Sequence, residues 1–477
     1  MNHIAVSDFS RTARILAALF LLGWQAPAKA QTEINLPARA DTQSANGVSF
    51  KTGAFNTIGT DLSIGGGGIA GLQQVRTYAS SNSSSLTSLT SAKGWMFSTR
   101  ASVIRNVYKY APDEIPPAPN LVPLIYTVLT GTGVSRFRGG NVGSTIPSSG
   151  YIPYAKNGES LSFTKIGTGD PSSGSYHTFI DSAGAVYVYP WSNKQLQSVT
   201  YPDGTKLDYS YSPNWMIISN RGYALLWEST SKVCVINMAE TYVTSAMTIC
   251  PVNAQSVSYS YGTTSVTIVS ATNAAGQTTN YEYVGGTGAN HLGCIKDPGQ
   301  TVCKISNVYN VCLPLNVSTP ADRTRDQVTS QTTGTGETYT YTYGTTDLCN
   351  GYSGYGVSAK IVAPGGATTK VGANSYGAVV SLTDPLNRQS VFSYVTEGGF
   401  QASGTVLASA RHPEDDSTSL SRDTRGNVIE KRSKSKPTLP TADIVTTASY
   451  PATCTNRKTC NKPDYVIDAK GNRIDYT

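Results

Sequence analysis

A turn-and-strand unit recurs along the C-terminal two-thirds of this chain, and it constrains the fold more than any single residue does. Asn273-Ala274-Ala275-Gly276 is followed by Tyr281 and Tyr283, and Pro202-Asp203-Gly204 by Tyr209 and Tyr211. Asp384-Pro385-Leu386-Asn387 leads to Phe392 and Tyr394, and Asp468-Ala469-Lys470-Gly471 to Tyr476. The aromatics lie five and seven residues beyond the last turn position. Weaker copies are Asp181-Ser182-Ala183-Gly184 before Tyr187 and Tyr189, Gly336 before Tyr339, Tyr341 and Tyr343, and Asp423-Thr424-Arg425-Gly426 with no aromatics.

The unit has a physical reading. Asp or Asn at the head of a turn accepts hydrogen bonds from backbone amides two residues on. The fourth position takes a left-handed conformation, which Gly enters freely and Asn tolerates. A type I turn closed by a left-handed residue joins two antiparallel strands. Side chains two apart share a face, so each Tyr-x-Tyr pair lines one side of a sheet. The predicted fold is all-β, an array of antiparallel hairpins with little helix after residue 30. The 29 Tyr, 45 Gly and 14% charged residues suit thin sheets with polar outer faces better than one large core.

Residues 1–30 read as a cleaved signal peptide. Arg11 and Arg14 precede an apolar run from Ile15 to Trp24, and Ala28-Lys29-Ala30 is a small-x-small cleavage site. Ten apolar residues are too few for a stable membrane span. Cleavage removes Arg11, Arg14, Lys29 and Asp8, lowering the net charge of +7 by two. The chain is expected to be exported: secreted, periplasmic or at the cell surface, with no transmembrane segment. All eight cysteines follow the signal, and in an oxidising compartment an even count points to disulfides. Connectivity is open among the eight, and Cys454–Cys460 is the pair singled out.

Three regions follow: 1–30, the signal; 31–190, a β region rich in Gly, Ser and Pro loops; and 191–477, the hairpin array. Turn spacing in the array is irregular. Inserts are therefore expected, among them a cysteine-bearing one from Gly293 to Pro314 and a basic loop from Arg432 to Pro440. The last copy reaches Thr477 before its second aromatic, which reads as an incomplete unit.

Catalytic constellations are not legible. Gly66-x-Gly68-x-x-Gly71 matches a dinucleotide fingerprint but opens no helix, and reads as a strand connection. There is no G-x-S-x-G, H-E-x-x-H or P-loop. His177, His291 and His412 read as surface or turn histidines, and Glu414-Asp415-Asp416 as a solvated acidic loop. The run Lys431 to Lys436 lacks interleaved aromatics, so nucleic acid is not expected. No cofactor or metal is expected, and no enzyme activity. The tyrosines either fill the inner face of the sheet or stand out as platforms for sugar rings.

On these residues the chain resembles YD-repeat proteins of the rearrangement-hotspot (Rhs) type. The stretch Asp468 to Thr477 is similar to the family's repeat consensus, as are Asp423 to Val428 and Asp384 to Tyr394. Thr52-Gly53-Ala54-Phe55, Thr60-Asp61-Leu62, Val75-Arg76-Thr77-Tyr78 and Gly94-Trp95 resemble the segment that opens such repeat regions. The resemblance implies a non-enzymatic scaffold: in the family, repeats wind a β-sheet into a hollow shell, often around a C-terminal toxin domain. The closing segment of such shells is missing here, and Asp297-Pro298-Gly299 reads as a turn. An open, curved sheet is expected, whose edge would take a further YD-repeat or toxin polypeptide. The alternative is a cell-surface carbohydrate-binding or adhesion module.

Overall fold

The computed structural model describes residues 42–476 apart from 51–52, 67, 81–93, 100, 108–122, 131–133, 142–150, 154–158, 167–173, 263–266, 285–290, 311–326, 344–356, 375–377, 396–405, 439–440 and 457–458. The signal segment, Cys312 and Cys349 lie outside the described residues. Among the described residues the chain is all-β, with only single-turn 3-10 segments at Gly68–Ala70 and Pro364–Gly366.

Three sheets form. The first is β1 (Asn56–Ile64), β2 (Leu72–Ala79) and β3 (Trp95–Phe97), in that order. The second is β4 (Ser102–Val107), β5 (Pro123–Leu129), β6 (Val134–Asn141) and β7 (Ile152–Pro153). The third starts with β8 (Ser160–Thr164), β9 (Tyr176–Ile180) and β10 (Val186–Pro190) and continues strand by strand to Arg473–Asp475, 25 strands in all. Every neighbouring pair in this wall is antiparallel and consecutive in sequence, as a hairpin array requires. No pairing between its first and last strands is described, so the wall is a long sheet and not a barrel. It begins at Ser160, within the region read as 31–190.

The connections differ between the two rims of the wall. The turns at Asp181–Gly184, Tyr201–Gly204, Asn273–Gly276, Asp384–Asn387 and Asp468–Gly471 all fall on one rim, because each joins strands in the same order along an alternating sheet. The turn Asp423–Gly426 falls on the opposite rim. The long connection of residues 238–254, between Lys232–Asn237 and Gln255–Tyr261, falls on the same rim as the tight turns.

Of the expected insert from Gly293 to Pro314, residues 293–310 belong to the wall, and 311–314 lie outside the described residues. His291–Lys296 and Ile305–Asn310 are wall strands, joined by a turn whose Gln300 N–H donates to the Asp297 carbonyl, and tied by the Cys294–Cys303 disulfide. The basic run is not a loop at its start, since Val428–Lys434 is a wall strand.

The main core lies between the wall and the two smaller sheets. Trp95, Tyr78, Phe55, Phe97, Phe137 and Phe179 are all at most 2% exposed in it. Each such ring buries roughly 150–250 Å², or on the order of 4–6 kcal/mol of gross hydrophobic stabilisation before entropy is counted. A second cluster lies on the other face of the strands Met216–Ser219, Tyr223–Ser229 and Lys232–Asn237. There Met216, Ala224, Leu226 and Ile236 pack with Val243 and Cys250 of the following loop. The Cys234–Cys250 disulfide holds that loop down. Burial on both faces explains the unbroken apolar runs Ala224-Leu225-Leu226-Trp227 and Val233-Cys234-Val235-Ile236.

Candidate functional site where plug meets wall

The hairpin tips define how the tyrosines are aimed. Asp384 Oδ1 accepts hydrogen bonds from Leu386 N–H and Arg388 N–H, both at 2.9 Å, and Asn387 stands at φ 59°. Asn273 does the same for Ala275 and Gln277, Asp423 for Arg425 and Asn427, and Asp468 for Lys470 and Asn472. Asp181 Oδ1 takes Ala185 N–H, and Asp203 Oδ1 takes Thr205 N–H in a turn headed by Tyr201. Gly184, Gly204, Gly276, Gly426 and Gly471 have φ between 73° and 93°. The Arg388 amide bond, with the Arg388 side chain, holds the Asp384 carboxyl below the usual carboxylate range.

Beyond each tip the two aromatics have different roles. The first packs inward: Tyr281, Tyr341 and Phe392 are buried, Tyr209 is half-buried, and Tyr476 is half-buried at the last strand. The second donates its phenol to a backbone carbonyl fifteen residues back, on or just before the preceding strand. These bonds are Tyr211 to Leu196 (2.7 Å), Tyr283 to Ile268 (2.6 Å), Tyr343 to Val328 (2.8 Å) and Tyr394 to Val379 (2.6 Å). A carbonyl there lies near the end of its ladder, and the phenol satisfies it inside the sheet. Sequence reasoning missed this staple. Its signal is that the second position is Tyr in all four units, whereas the first accepts Phe392.

The inner face from Tyr223 to Tyr343 is closed by the described parts of the N-terminal segment between Thr42 and Thr99, which act as a plug. Along β2, Leu72, Gln74, Arg76 and Tyr78 alternate as the buried residues, with Gln73, Val75 and Thr77 between them. A register shift in β1 between Thr60 and Leu62 leaves Asp61 as the extra residue of a bulge. Such a bulge re-aims a side chain. The Asp61 carboxylate pairs with Arg76 Nε at 2.8 Å, and both side chains are under 8% exposed. The other end of the contact is on the wall: Tyr259 donates its phenol to Asp61 Oδ2 at 2.6 Å.

The Arg76 guanidinium carbon also lies 5.0 Å from the ring centroids of Trp95 and Tyr281 and 5.6 Å from that of Tyr259. Burial works against this cation, but Asp61, with Tyr281 and Tyr259 beside it, holds its pKa above the usual value. Further contacts tie plug to wall. Trp95 Nε1 donates to the Tyr283 phenol at 2.8 Å, and the Tyr78 phenol accepts Leu292 N–H at 2.9 Å. Burial pushes the Tyr78 and Tyr283 phenols well above the ordinary tyrosine range. Nearer the N-terminus, Val328 N–H donates to the Gly53 carbonyl, and Gln331 Nε2 to the Asn46 carbonyl. A cavity of about 310 Å³ lies beside the charged pair, lined by Thr57, Asp61, Arg76, Tyr281 and Lys304 among others.

The remaining candidates fall elsewhere. His177 and His291 are 1% and 2% exposed in aromatic surroundings, and so are core rather than surface histidines. Short rings with a polar edge pack well once the sheet is covered, which single-sequence spacing does not reveal. His412 does head a turn, its carbonyl accepting Asp415 N–H. The acidic and basic runs meet each other: Lys436 pairs with Glu414, and Arg432 with Glu430 and Asp443. Cys454 and Cys460 are bonded, as are Cys234–Cys250 and Cys294–Cys303. Glu282 lies by Cys294 and Cys303, but a disulfide leaves those sulfurs without thiolate character for a metal. The three disulfides suit an extracellular or periplasmic protein. Among the described residues no helix is long and apolar enough to cross a membrane.

No family model and no curated protein matches this chain. Among solved structures, the crystal structure of TcdB2-TccC3 is similar at 7% identity and a TM-score of 0.23, over 83% of this chain and 23% of that one. The Tc holotoxin pore of Photorhabdus luminescens is similar at 7% identity and a TM-score of 0.22, over 77% and 22%. A porin-like protein from Bacteroides uniformis aligns at 8% identity and 0.16, over 57% and 92%. The chain thus spans about a quarter of the length of the toxin-complex structures it matches.

Proposed function

We propose that this chain is an exported, non-enzymatic scaffold of the Rhs type: a stretch of curved shell wall whose own N-terminal segment plugs its interior face. One observation carries the reading. A single sheet of 25 consecutive antiparallel strands has its tyrosine face turned inward, and the plug closes that face from Tyr223 to Tyr343. Side chains with chemical potential at that junction are used up in holding the sheets together: Asp61 and Arg76 on each other, and the tyrosines on carbonyls and on the plug. The partner of such a scaffold is another polypeptide, a further repeat segment or a toxin domain. The glycan-binding alternative is less favoured, because Tyr281, Tyr341 and Phe392 are buried and no sugar ring reaches their faces.

The experiment is to express the exported chain with its leader in a bacterial host and recover the processed protein. It is then assayed for hydrolysis of glycans, peptides and nucleic acids and for binding on a glycan array. The expected result is no turnover and no glycan retained. Turnover at enzymatic rates overturns the scaffold reading, and saturable glycan binding replaces it with the adhesion module.

A further inference from the structure

The sheet β4–β7 is attached to the wall in two different ways. Around β4 the attachment is backbone: Val103 N–H donates to the Lys194 carbonyl at 2.9 Å, and Leu196 N–H to the Ala101 carbonyl at 3.0 Å. Towards β7 it is a side chain. Tyr151, one residue before β7, places its phenol oxygen 3.0 Å from His177 Nε2 on the wall strand β9. Between these ends Phe137 of β6 packs on Phe179, and the Tyr189 phenol donates to the Leu129 carbonyl.

His177 is enclosed by rings. Phe163 lies 5.0 Å from it, Trp191 stacks at 5.5 Å, and Tyr126 and Tyr151 lie at 5.8 and 5.9 Å between centroids. Its Nδ1 is buried with no hydrogen-bond partner. Phe163 of β8 offers it no charge. Among the described residues, the titratable groups facing it are the Tyr126 phenol of β5, Tyr151, Tyr189 opposite it on β10, and Lys194. The Lys194 ammonium sits 5.5 Å from the Trp191 ring centroid, and among the described residues it is the ionic charge that acts on His177. A neutral imidazole fits this cage. An imidazolium does not: it adds a second donor where nothing accepts and a second cation beside Lys194.

We propose that His177 is an acid-sensitive latch, which holds β5–β7 on the wall while neutral and releases them when protonated, β4 staying tied through Lys194 and Leu196. Burial, with Lys194, lowers the His177 pKa to about 4 in the docked state. In the released state the ring meets water and titrates near the ordinary value of about 6.5. The folded value is the depressed one for a base, so docking is at full strength above about pH 6.5 and weakens as pH falls. The opening constant rises roughly tenfold per pH unit, about 300-fold in total, and levels off near pH 4.

Hydrogen exchange on the full exported chain at pH 7, 5 and 4, corrected for intrinsic rates, reads the latch directly. Protection in Pro123–Leu129 and Val134–Asn141 falls towards pH 4 while Tyr223–Ser229 keeps its own. His177→Phe, which fills the cage without a charge, keeps β5 and β6 protected at all three values. Wild-type protection that is unchanged at pH 4, or a His177→Phe chain that opens over the same range, overturns the proposal. If that variant does not fold, the ring resonance of His177 in the wild type decides: titration below pH 5 supports the latch, and an ordinary value removes it.

Discussion

Trp95 of the plug donates its indole N–H to the phenol of Tyr283, which in turn donates to the carbonyl of Ile268. Trp95 and Tyr283 are 188 residues apart, and the phenol between them serves two structures at once. It completes the staple of its own hairpin and anchors the segment that covers the wall.

This double duty predicts an order among conservative substitutions. Tyr211→Phe removes one hydrogen bond, to the Leu196 carbonyl, and should cost about 1 kcal/mol. Tyr283→Phe removes two and leaves the Trp95 N–H facing a ring edge, so about 2–3 kcal/mol is expected. Urea denaturation of the two variants compares them, and equal losses would separate the plug from Tyr283.

The Asp61–Arg76 pair predicts that the double replacement is milder than the single one. Asp61→Ala strands a buried guanidinium and should cost about 3–5 kcal/mol. Replacing both, as Asp61→Leu with Arg76→Met, removes the charge along with its partner and should recover most of that loss. Midpoints of chemical unfolding for the two variants test it.

The loop over the outer cluster depends on Cys234–Cys250, which closes a loop of 16 residues. Cys234→Ala with Cys250→Ser should destabilise by about 2–4 kcal/mol. It should also expose Met216, Leu226 and Ile236, seen as increased binding of an apolar dye at neutral pH.

Asn387 is the one strong repeat copy whose left-handed residue is not glycine, at φ 59°. Asn387→Gly should be neutral within about half a kcal/mol, and Asn387→Ala should cost about 1–2 kcal/mol, because alanine keeps the Cβ and loses the polar side chain that eases Asn into the left-handed region. Thermal unfolding of the pair tests the turn geometry of the whole family of tips.

The local half of this fold was legible because turns and strands are written within ten residues: Asp384, Asn387, Phe392 and Tyr394 specify tip, hand and face together. The covering of that face was not legible. Asp61, Arg76 and Trp95 look like scattered residues in a loop-rich region, and only a β-bulge and two strand pairings bring them under Tyr259 and Tyr281. The burial of His177 and His291, which the sequence presents as surface or turn histidines, is hidden for the same reason, since it comes from other sheets or strands far along the chain. Strand membership of His291–Lys296 was hidden by cysteine, turn and proline signals crowded into one stretch.

The central claim is that the plug's charged pair is locked to the wall's tyrosines, and a double-mutant cycle on Asp61→Asn and Tyr259→Phe tests it most directly. The phenol donates to a buried carboxylate at 2.6 Å across 198 residues of sequence, so a coupling energy of about 1.5–3 kcal/mol is predicted. Losses that add to within about 0.5 kcal/mol would show that the plug does not sit on this face, and would contradict the account.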